Sequence, residues 1–306
     1  MAEMIGETAA VLTATLWTFN SILFASAGRK IGSVSVNAFR IAIAVGLLTI
    51  THFILLGTFL PMASDEQWFW IGLSGIIGLG IGDFALFAAF VIIGPRRSVL
   101  MMALSPIFAA MVAYLMLGEE LSTWTGIGIA VTLTGVIVVI LEREEASDEK
   151  PISDRTKVWG TSLGLIGAVG QGVGIVFAKQ GMLLYPDPDN IDITLSATLI
   201  RMIAGALFVW IVVVFAGKLP QLRKALKNRR GMAETSAGAF IGPFIGVTLS
   251  MVAVLYTQAG VAQTLMSLMP VFIIPVIWVL FRQRTSWRGI LGAIVAVVGV
   301  AILFLV

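Results

Sequence analysis

The chain has 306 residues, of which 58% are hydrophobic and only 12% are charged, and its formal net charge is +3. Soluble domains carry about 25% charged residues, so this composition excludes a pair of soluble domains and indicates an integral membrane protein. The chain has no Cys and only one His, His52. Disulfides, thiolate metal sites, Cys nucleophiles and multi-His metal sites are therefore excluded.

Ten apolar stretches follow one another along the chain. Each is close to the roughly 20 residues that a helix needs to cross a bilayer. The residues before the first stretch lack the basic region and the cleavage site of a signal peptide, so no cleavage is expected. The predicted fold class is an all-α integral membrane protein with ten transmembrane helices, at residues 8–27, 34–56, 68–92, 97–117, 123–141, 158–178, 193–216, 232–256, 260–281 and 287–306.

The five spans before the chain's midpoint resemble the five after it. Pro106 corresponds to Pro270 at an offset of 164 residues, and Gly135 corresponds to Gly299 at the same offset. A mixed-charge segment separates the two groups. We therefore predict a first five-helix repeat, a charged linker and a second five-helix repeat, at residues 1–141, 142–157 and 158–306.

The correspondence extends to residues that bear on function. Asp83 aligns with Val247, so the second repeat has no acid at that position. An odd number of spans per repeat makes the second repeat enter the membrane from the opposite side. The repeats are therefore expected to be inverted, as in many secondary transporters whose substrate site lies near the midplane. Other corresponding pairs are Arg40 and Arg201, Phe24 and Phe177, and Ala25 and Ala178.

A run in span 4, Ser105–Ala110, continues to Leu117-Gly118-Glu119 and then to Gly126 and Gly135-Val136. The chain also has ten spans, the duplication, Gly82-Asp83 in span 3 and an Arg near the start of spans 2 and 7. With these features it resembles the EamA-type transporters of the drug/metabolite transporter superfamily over essentially its full length. The resemblance implies a ten-helix bundle of inverted repeats, a central cavity and export of small metabolites, amino acids among them. The second repeat reads Phe281-Arg282-Gln283 where the first reads Leu-Gly-Glu, so Glu119 has no counterpart.

The basic residues are distributed unevenly among the loops. Of the 20 Lys and Arg residues, 17 lie in odd-numbered loops, whereas the even-numbered loops and both tails carry only Lys179. Lys and Arg in short loops remain in the cytoplasm. We therefore predict a multi-pass protein of the inner (plasma) membrane with both termini outside.

Charged residues within spans are rare and are candidates for function. At 1.5 Å per residue, Asp83 lies roughly 13 Å from the end of span 3, and Arg40 lies roughly 9 Å from the same membrane face. These depths fit an ion pair. Arg201 enters from the opposite face and is expected to be a poorer partner. Asp83 would bind a coupling proton or a substrate amine, or it would belong to a structural pair that fixes helix packing.

Other candidates are polar or conformationally special residues within spans. Polar and aromatic groups near span centres would orient a ligand in a cavity or form hydrogen bonds between helices; these are Trp17, Asn20, Gln171 and Gln263. Proline bends a span and frees backbone carbonyls, and glycine permits a hinge or a close helix approach. The hinge or kink candidates are Pro106, Pro270, Gly82 and Gly172.

Together these features favour a secondary transporter that exports a small metabolite, such as an amino acid, by alternating access. The two halves would rock around a central site, driven by a substrate gradient or by proton movement. A membrane-embedded enzyme and a passive channel are the alternatives, although the sequence shows neither a clustered catalytic set nor charged rings. The glycine-rich runs have no flanking strand, so no cofactor is expected. Expected partners are a small-molecule substrate and the lipid bilayer, but not nucleic acid; the oligomeric state is left open.

Overall fold

The computed structural model describes residues 2–142, 153–187, 190–281 and 286–305, and helices are the only regular secondary structure in these ranges. Most of the predicted linker, residues 143–152, lies outside them. Ten helical spans are long and apolar enough to cross a membrane, which confirms the predicted fold class. They are, in order, Glu3–Ile31, Ser33–Leu56, Asp65–Ala89, Ser98–Leu117, Thr123–Leu141, Asp154–Leu183, Asp192–Phe215, Arg229–Tyr256, Ala259–Val276 and Trp287–Leu305.

The first helices of the two repeats are longer than predicted. Ala2–Ile31 and Asp154–Leu183 each have 30 residues, or roughly 45 Å, against about 30 Å of hydrocarbon. The first helix continues until Gly32, whose φ of 82° ends it. The second begins early because the Ser153 side chain accepts a hydrogen bond from the Thr156 amide and caps the helix. Polar flanking residues therefore extend both helices beyond their apolar stretches.

Spans 3 and 8 each contain a π-helical segment at corresponding positions. Gly75–Gly82 precedes Asp83, and Phe240–Gly246 precedes Val247. Segments of this type are rare and occur often at functional sites. The structure therefore supports the alignment of Asp83 with Val247, because each residue begins the α-helix that follows a π-helical segment.

Spans 4 and 9 are preceded or interrupted by helix breaks, again at corresponding positions. Helix Asp83–Met102 includes the connection between spans 3 and 4, and two residues separate it from helix Ser105–Leu117. Two residues likewise separate helix Ala259–Met266 from helix Met269–Phe281. Pro106 and Pro270 each take the second position of the new helix, where proline lacks only an amide that would have no helical partner. A short amphipathic helix, Leu219–Leu226, lies between spans 7 and 8.

The two repeats are interleaved rather than side by side. Span 1 packs on span 8, span 3 on span 6, and spans 2, 4 and 5 pack on their counterparts 7, 9 and 10. A Cβ atom at Gly135 would lie 2.2 Å from the Ala296 amide nitrogen, and one at Gly299 would lie 2.4 Å from that of Thr132. The two contacts are reciprocal, because Gly299 corresponds to Gly135 and Ala296 corresponds to Thr132 at the same offset of 164 residues. Such reciprocal contacts are those of a twofold axis relating inverted repeats. Rocking of the sequence halves as rigid bodies does not fit this packing, because it would break most contacts between helices.

Two membrane faces can be distinguished. The linker face is the one at which span 5 ends and span 6 begins, together with the ends of the other spans that odd-numbered loops connect. The terminal face carries the N-terminus and the even-numbered loops. Arg40 lies in the half of span 2 nearer the linker face, and Arg201 lies in the half of span 7 nearer the terminal face.

Candidate functional site

A cavity of about 610 Å³ lies between the two repeats. Its walls are mainly apolar, and they extend from the centre of the bundle to Gly28 and Ser33 at the linker face. Within the described residues, no group of three His, Asp or Glu side chains could hold a metal ion. Seven of the sequence-predicted candidates line the cavity: Trp17, Asn20, Arg40, Asp83, Gln171, Gln263 and Pro270.

Arg40 and Asp83 form an ion pair in the cavity wall, with Arg40 Nη2 against Asp83 Oδ2. Only 12% of each side chain is exposed. Arg40 Nε donates a hydrogen bond of 2.9 Å to Asn37 Oδ1, and the guanidinium carbon lies 5.7 Å from the ring centres of both Phe24 and Phe87. Cation–π attraction and the carboxylate together offset the cost of placing this cation among apolar side chains.

Gln171 connects Asp83 to the π-helical segment. Its Nε2 donates hydrogen bonds to Asp83 Oδ1 at 2.8 Å and to the Gly78 carbonyl at 3.1 Å. Span 6 can bring Gln171 this close because Gly170 and Gly82 meet there; a Cβ atom at Gly170 would lie 2.9 Å from Gly82 Cα. The carboxylate of Asp83 therefore has a cation on one oxygen and an amide on the other.

Arg201 is nearer to Asp83 than the sequence suggested. Its guanidinium interacts electrostatically with Asp83, and its Nη2 packs against Gly78, where a Cβ atom would lie only 2.9 Å away. Span 7 begins at the terminal face, as the inversion requires. Arg201 lies about nine residues into this span, or roughly 14 Å deep, which is near the midplane. Arg40 nevertheless forms the ion pair with Asp83, whereas Arg201 acts on the carboxylate only electrostatically, so the prediction that Arg201 is the poorer partner is not contradicted.

Arg201 is also poorly satisfied. Only 2% of the residue is exposed, its Nε has no hydrogen-bond partner, and its Nη1 reaches Met251 Sδ at 3.8 Å. A thioether is a weak acceptor. A buried guanidinium normally has strong anionic or carbonyl partners, so this cation retains unused capacity for a hydrogen-bonded anion.

Trp17 and Asn20 pack against the π-helical segment of span 8. A Cβ atom at Gly246 would lie 2.8 Å from Trp17 Nε1, and one at Gly242 would lie 1.6 Å from Asn20 Nδ2. Both side chains line the cavity through space that only glycine leaves free. The pattern of glycines in span 8 thus places an indole and an amide at the centre of the bundle.

The remaining candidates lie where spans 4, 6 and 9 meet. Gln263 Nε2 donates to Ser105 Oγ at 2.5 Å. A Cβ atom at Gly172 would lie 2.6 Å from the Ser105 carbonyl oxygen. The helix is uninterrupted through Gly172, so Gly172 serves close packing in this conformation, whereas Gly82 ends a π-helical segment and Pro106 and Pro270 follow helix breaks. A hinge or kink role for these four residues therefore stays a prediction from the sequence.

A polar cluster that was not expected from the sequence lies at the terminal face, which the lining residues of the cavity do not reach. Lys179 pairs with Glu119 at 2.5 Å and donates to the Thr257 carbonyl at 2.7 Å. Glu119 Oε2 accepts a hydrogen bond from the Ala259 amide at 2.8 Å. The cluster joins spans 4, 6, 8 and 9. Lys179 and Glu119 stood out as the sole basic residue of the even loops and as an acid without a counterpart, but no spacing rule indicated that they meet.

Phe24 and Phe87 also belong to the site, although they were not identified as candidates from the sequence. Phe24 follows Trp17 by seven residues, or two helical turns, so the helical period of span 1 could have placed both on one face. Phe87 lies one turn after Asp83 in the same helix, and its position could have been found in the same way.

A sequence model of the EamA-like transporter family matches residues 4–141 and 158–305. The chain belongs to the EamA-like transporter family. This family lies within the drug/metabolite transporter superfamily, as the resemblance predicted. The chain is therefore a multi-pass membrane protein, and it belongs to a family whose members transport small molecules. No curated protein matches the chain.

Among solved structures, one titled "Crystal structure of protein" is similar to this EamA-like chain over 99% of this chain and 96% of that one, with a TM-score of 0.74. The two sequences are 17% identical. At that identity the likeness concerns the fold alone.

Proposed function

We propose that this EamA-like protein exports a small zwitterionic metabolite, such as an amino acid, by alternating access. The supporting observation is the unequal exposure of corresponding residues. Ala25 lines the cavity and is exposed, whereas its counterpart Ala178 is fully buried. Because inverted repeats can exchange their conformations, a state with Ala178 exposed and Ala25 buried would open the same site to the terminal face.

The closed terminal face favours a carrier over a passive channel. A channel needs a continuous path, but the Lys179–Glu119 pair and its contacts to Thr257 and Ala259 join four spans beyond the end of the cavity. Opening that face would require these contacts to separate while contacts form at the linker face.

The substrate class follows from the charges in the cavity wall. Arg40 can bind a carboxylate and Asp83 an ammonium group, and their side chains are adjacent. Most of the remaining wall is apolar, with Trp17, Phe24 and Phe87 among the aromatic residues. A neutral amino acid with an apolar side chain matches both parts, since each charge of the ligand replaces one partner of the ion pair.

Counterflow in proteoliposomes tests this function. Leucine preloaded inside should accelerate uptake of radiolabelled leucine, and the flux should saturate. Leucine should compete better than isopentylamine or 4-methylpentanoate, which each lack one of its charged groups. Flux that does not saturate would indicate a channel, and conversion of the substrate would indicate an enzyme. If neutral amino acids as a class gave no trans-stimulation, the proposed substrate class would be wrong.

The proposed coupling group is Asp83. In Asp83→Asn, substrate exchange should need a higher leucine concentration because the ammonium group loses its carboxylate, but it should continue, since exchange needs no net proton movement. Accumulation driven by a pH gradient should be lost. Asp154→Asn, which removes an exposed acid at the linker face, is the matched control. Normal gradient-driven accumulation in Asp83→Asn would leave the substrate gradient as the energy source.

A further inference from the structure

We propose that Asp83 exchanges partners during transport, pairing with Arg40 when the cavity is open to the linker face and with Arg201 when it is open to the terminal face. This proposal rests on the alternating access of the proposed function. It assigns to Arg201, in the state open to the terminal face, the place beside Asp83 that Arg40 has in this conformation.

The number of charges supports the exchange. Arg40 and Arg201 are related by the inverted repeat, but the acid is not duplicated, because Val247 stands where symmetry would place it. Two equivalent cations therefore share one carboxylate near the midplane. In this conformation Arg40 holds the carboxylate, while Arg201 interacts with it only electrostatically and leaves its Nε without a hydrogen-bond partner.

Symmetry gives the direction of the exchange. If the two repeats exchange conformations, Arg201 takes the surroundings that Arg40 has here, beside an accessible cavity. Arg40 in turn becomes buried and loses its place at the cavity wall. By the same symmetry the carboxylate then pairs with Arg201 at the cavity wall, as it pairs with Arg40 in this conformation.

The π-helical segment provides a local means for this movement. Gly78 contacts Arg201, and the Gly78 carbonyl accepts a hydrogen bond from Gln171, which also holds Asp83. A π-helical segment changes helix phase when it becomes regular α-helix. Such a change between Gly75 and Gly82 would turn Asp83 about the helix axis without moving the whole span.

Single-Cys accessibility tests the exchange, since the native chain has no Cys. Ala25→Cys reports opening to the linker face, and Ala178→Cys reports opening to the terminal face. An impermeant maleimide is added to right-side-out and to inside-out membrane vesicles. Labelling of Asp154→Cys and Met62→Cys, which replace exposed residues on opposite faces, identifies the face that each vesicle presents to the reagent. Each charge variant is measured with each reporter.

Removing either arginine should shift the two reporters in opposite directions. Arg201→Gln leaves Asp83 only Arg40, so labelling of Ala25→Cys should rise at least threefold and that of Ala178→Cys should fall. Arg40→Gln should do the reverse. Arg223→Gln, which removes an exposed cation, should change neither rate. Equal or same-direction shifts in the two arginine variants would overturn the proposal.

Moving the acid is a second test, which preserves the number of charges and decides the question even if a single arginine variant does not fold. The double substitution Asp83→Val and Val247→Asp places the carboxylate at the symmetry-related position, so the preference of the two reporters should reverse. An unchanged preference would contradict the proposal. If the parent protein never labels at Ala178→Cys from the terminal face, with or without leucine, alternating access itself fails. If it does label but charge changes have no opposing effects, only the partner exchange fails.

Discussion

Arg40 and Asp83 each carry a charge that would be costly without the other. Removing one partner of a buried pair typically costs about 3–5 kcal/mol, because the remaining charge is stranded. Gln171 and the two phenylalanine rings support the pair without neutralising it. The side chains therefore act as one unit in stability.

Accordingly, Arg40→Gln and Asp83→Asn should each lower the stability of the protein in detergent, whereas the double variant should lose less than the sum of the two. The coupling free energy should be roughly 0.5–3 kcal/mol, the range for residues in contact. Thermal unfolding of the four proteins in one detergent measures it. Additive losses would mean that the two side chains do not interact in solution.

The surroundings of Tyr185 also predict a measurable property. It lies in the loop after span 6, and its buried hydroxyl has no hydrogen-bond partner among the described residues. Burial raises the pKa of Tyr185 to about 12, against about 10 in an unfolded chain. The folded protein keeps the proton while the unfolded chain loses it, so this group's contribution to stability should fall as pH rises from 10 to 12.

Absorbance titration at 295 nm can isolate this group, since the chain has three tyrosines. Tyr185→Phe should remove the component that ionises near pH 12. Tyr114→Phe, which replaces an exposed tyrosine, should leave the component near pH 12 in place. A titration of Tyr185→Phe that still ended near pH 12 would show that another tyrosine is responsible.

At the scale of the helices, glycine permits the close approach of the π-helical segment of span 3 to span 7. At Gly75 a Cβ atom would lie 2.1 Å from the Arg201 carbonyl oxygen, so spans 3 and 7 approach too closely for any side chain. At Gly46, in the exposed middle of span 2, a Cβ atom would meet nothing within 4 Å. Substitution of Gly75 therefore tests the role of glycine in close packing, whereas substitution of Gly46 tests only its conformational freedom.

Gly75→Ala should therefore destabilise the protein by roughly 1–3 kcal/mol, the usual cost of overpacking. Gly46→Ala should be neutral or stabilise it by up to about 1 kcal/mol, because alanine favours the helix. Thermal unfolding in detergent compares the two. Equal effects would mean that spans 3 and 7 are not in close contact at Gly75.

At the scale of the whole molecule, the uneven distribution of basic residues predicts the orientation. In intact cells, Met62→Cys in the loop between spans 2 and 3 should react with an impermeant maleimide, and Asp154→Cys at the linker face should not. After the membrane is permeabilised both should react. The opposite pattern in intact cells would place the termini in the cytoplasm and make the site face outward in this conformation.

The sequence alone was sufficient for the ten spans, the duplication and the charged and amide side chains that line the cavity. Apolar length determines whether a segment can cross a membrane, and a repeated Pro106–Pro270 or Gly135–Gly299 can be read directly from the chain. Polar residues within apolar spans also stand out, and seven of the candidates do line the cavity. These features depend on residue type and on separation along the chain.

Only the tertiary structure decided which side chains meet. The azimuth of each span and the crossing of interleaved helices brought Arg201 near Asp83, enclosed Arg40 between two rings and joined Lys179 to Glu119. Hydropathy carries little information on azimuth when apolar residues surround a helix on all sides. The face to which the cavity opens is likewise absent from the sequence, because Ala25 and Ala178 are the same residue and differ only in the packing around them.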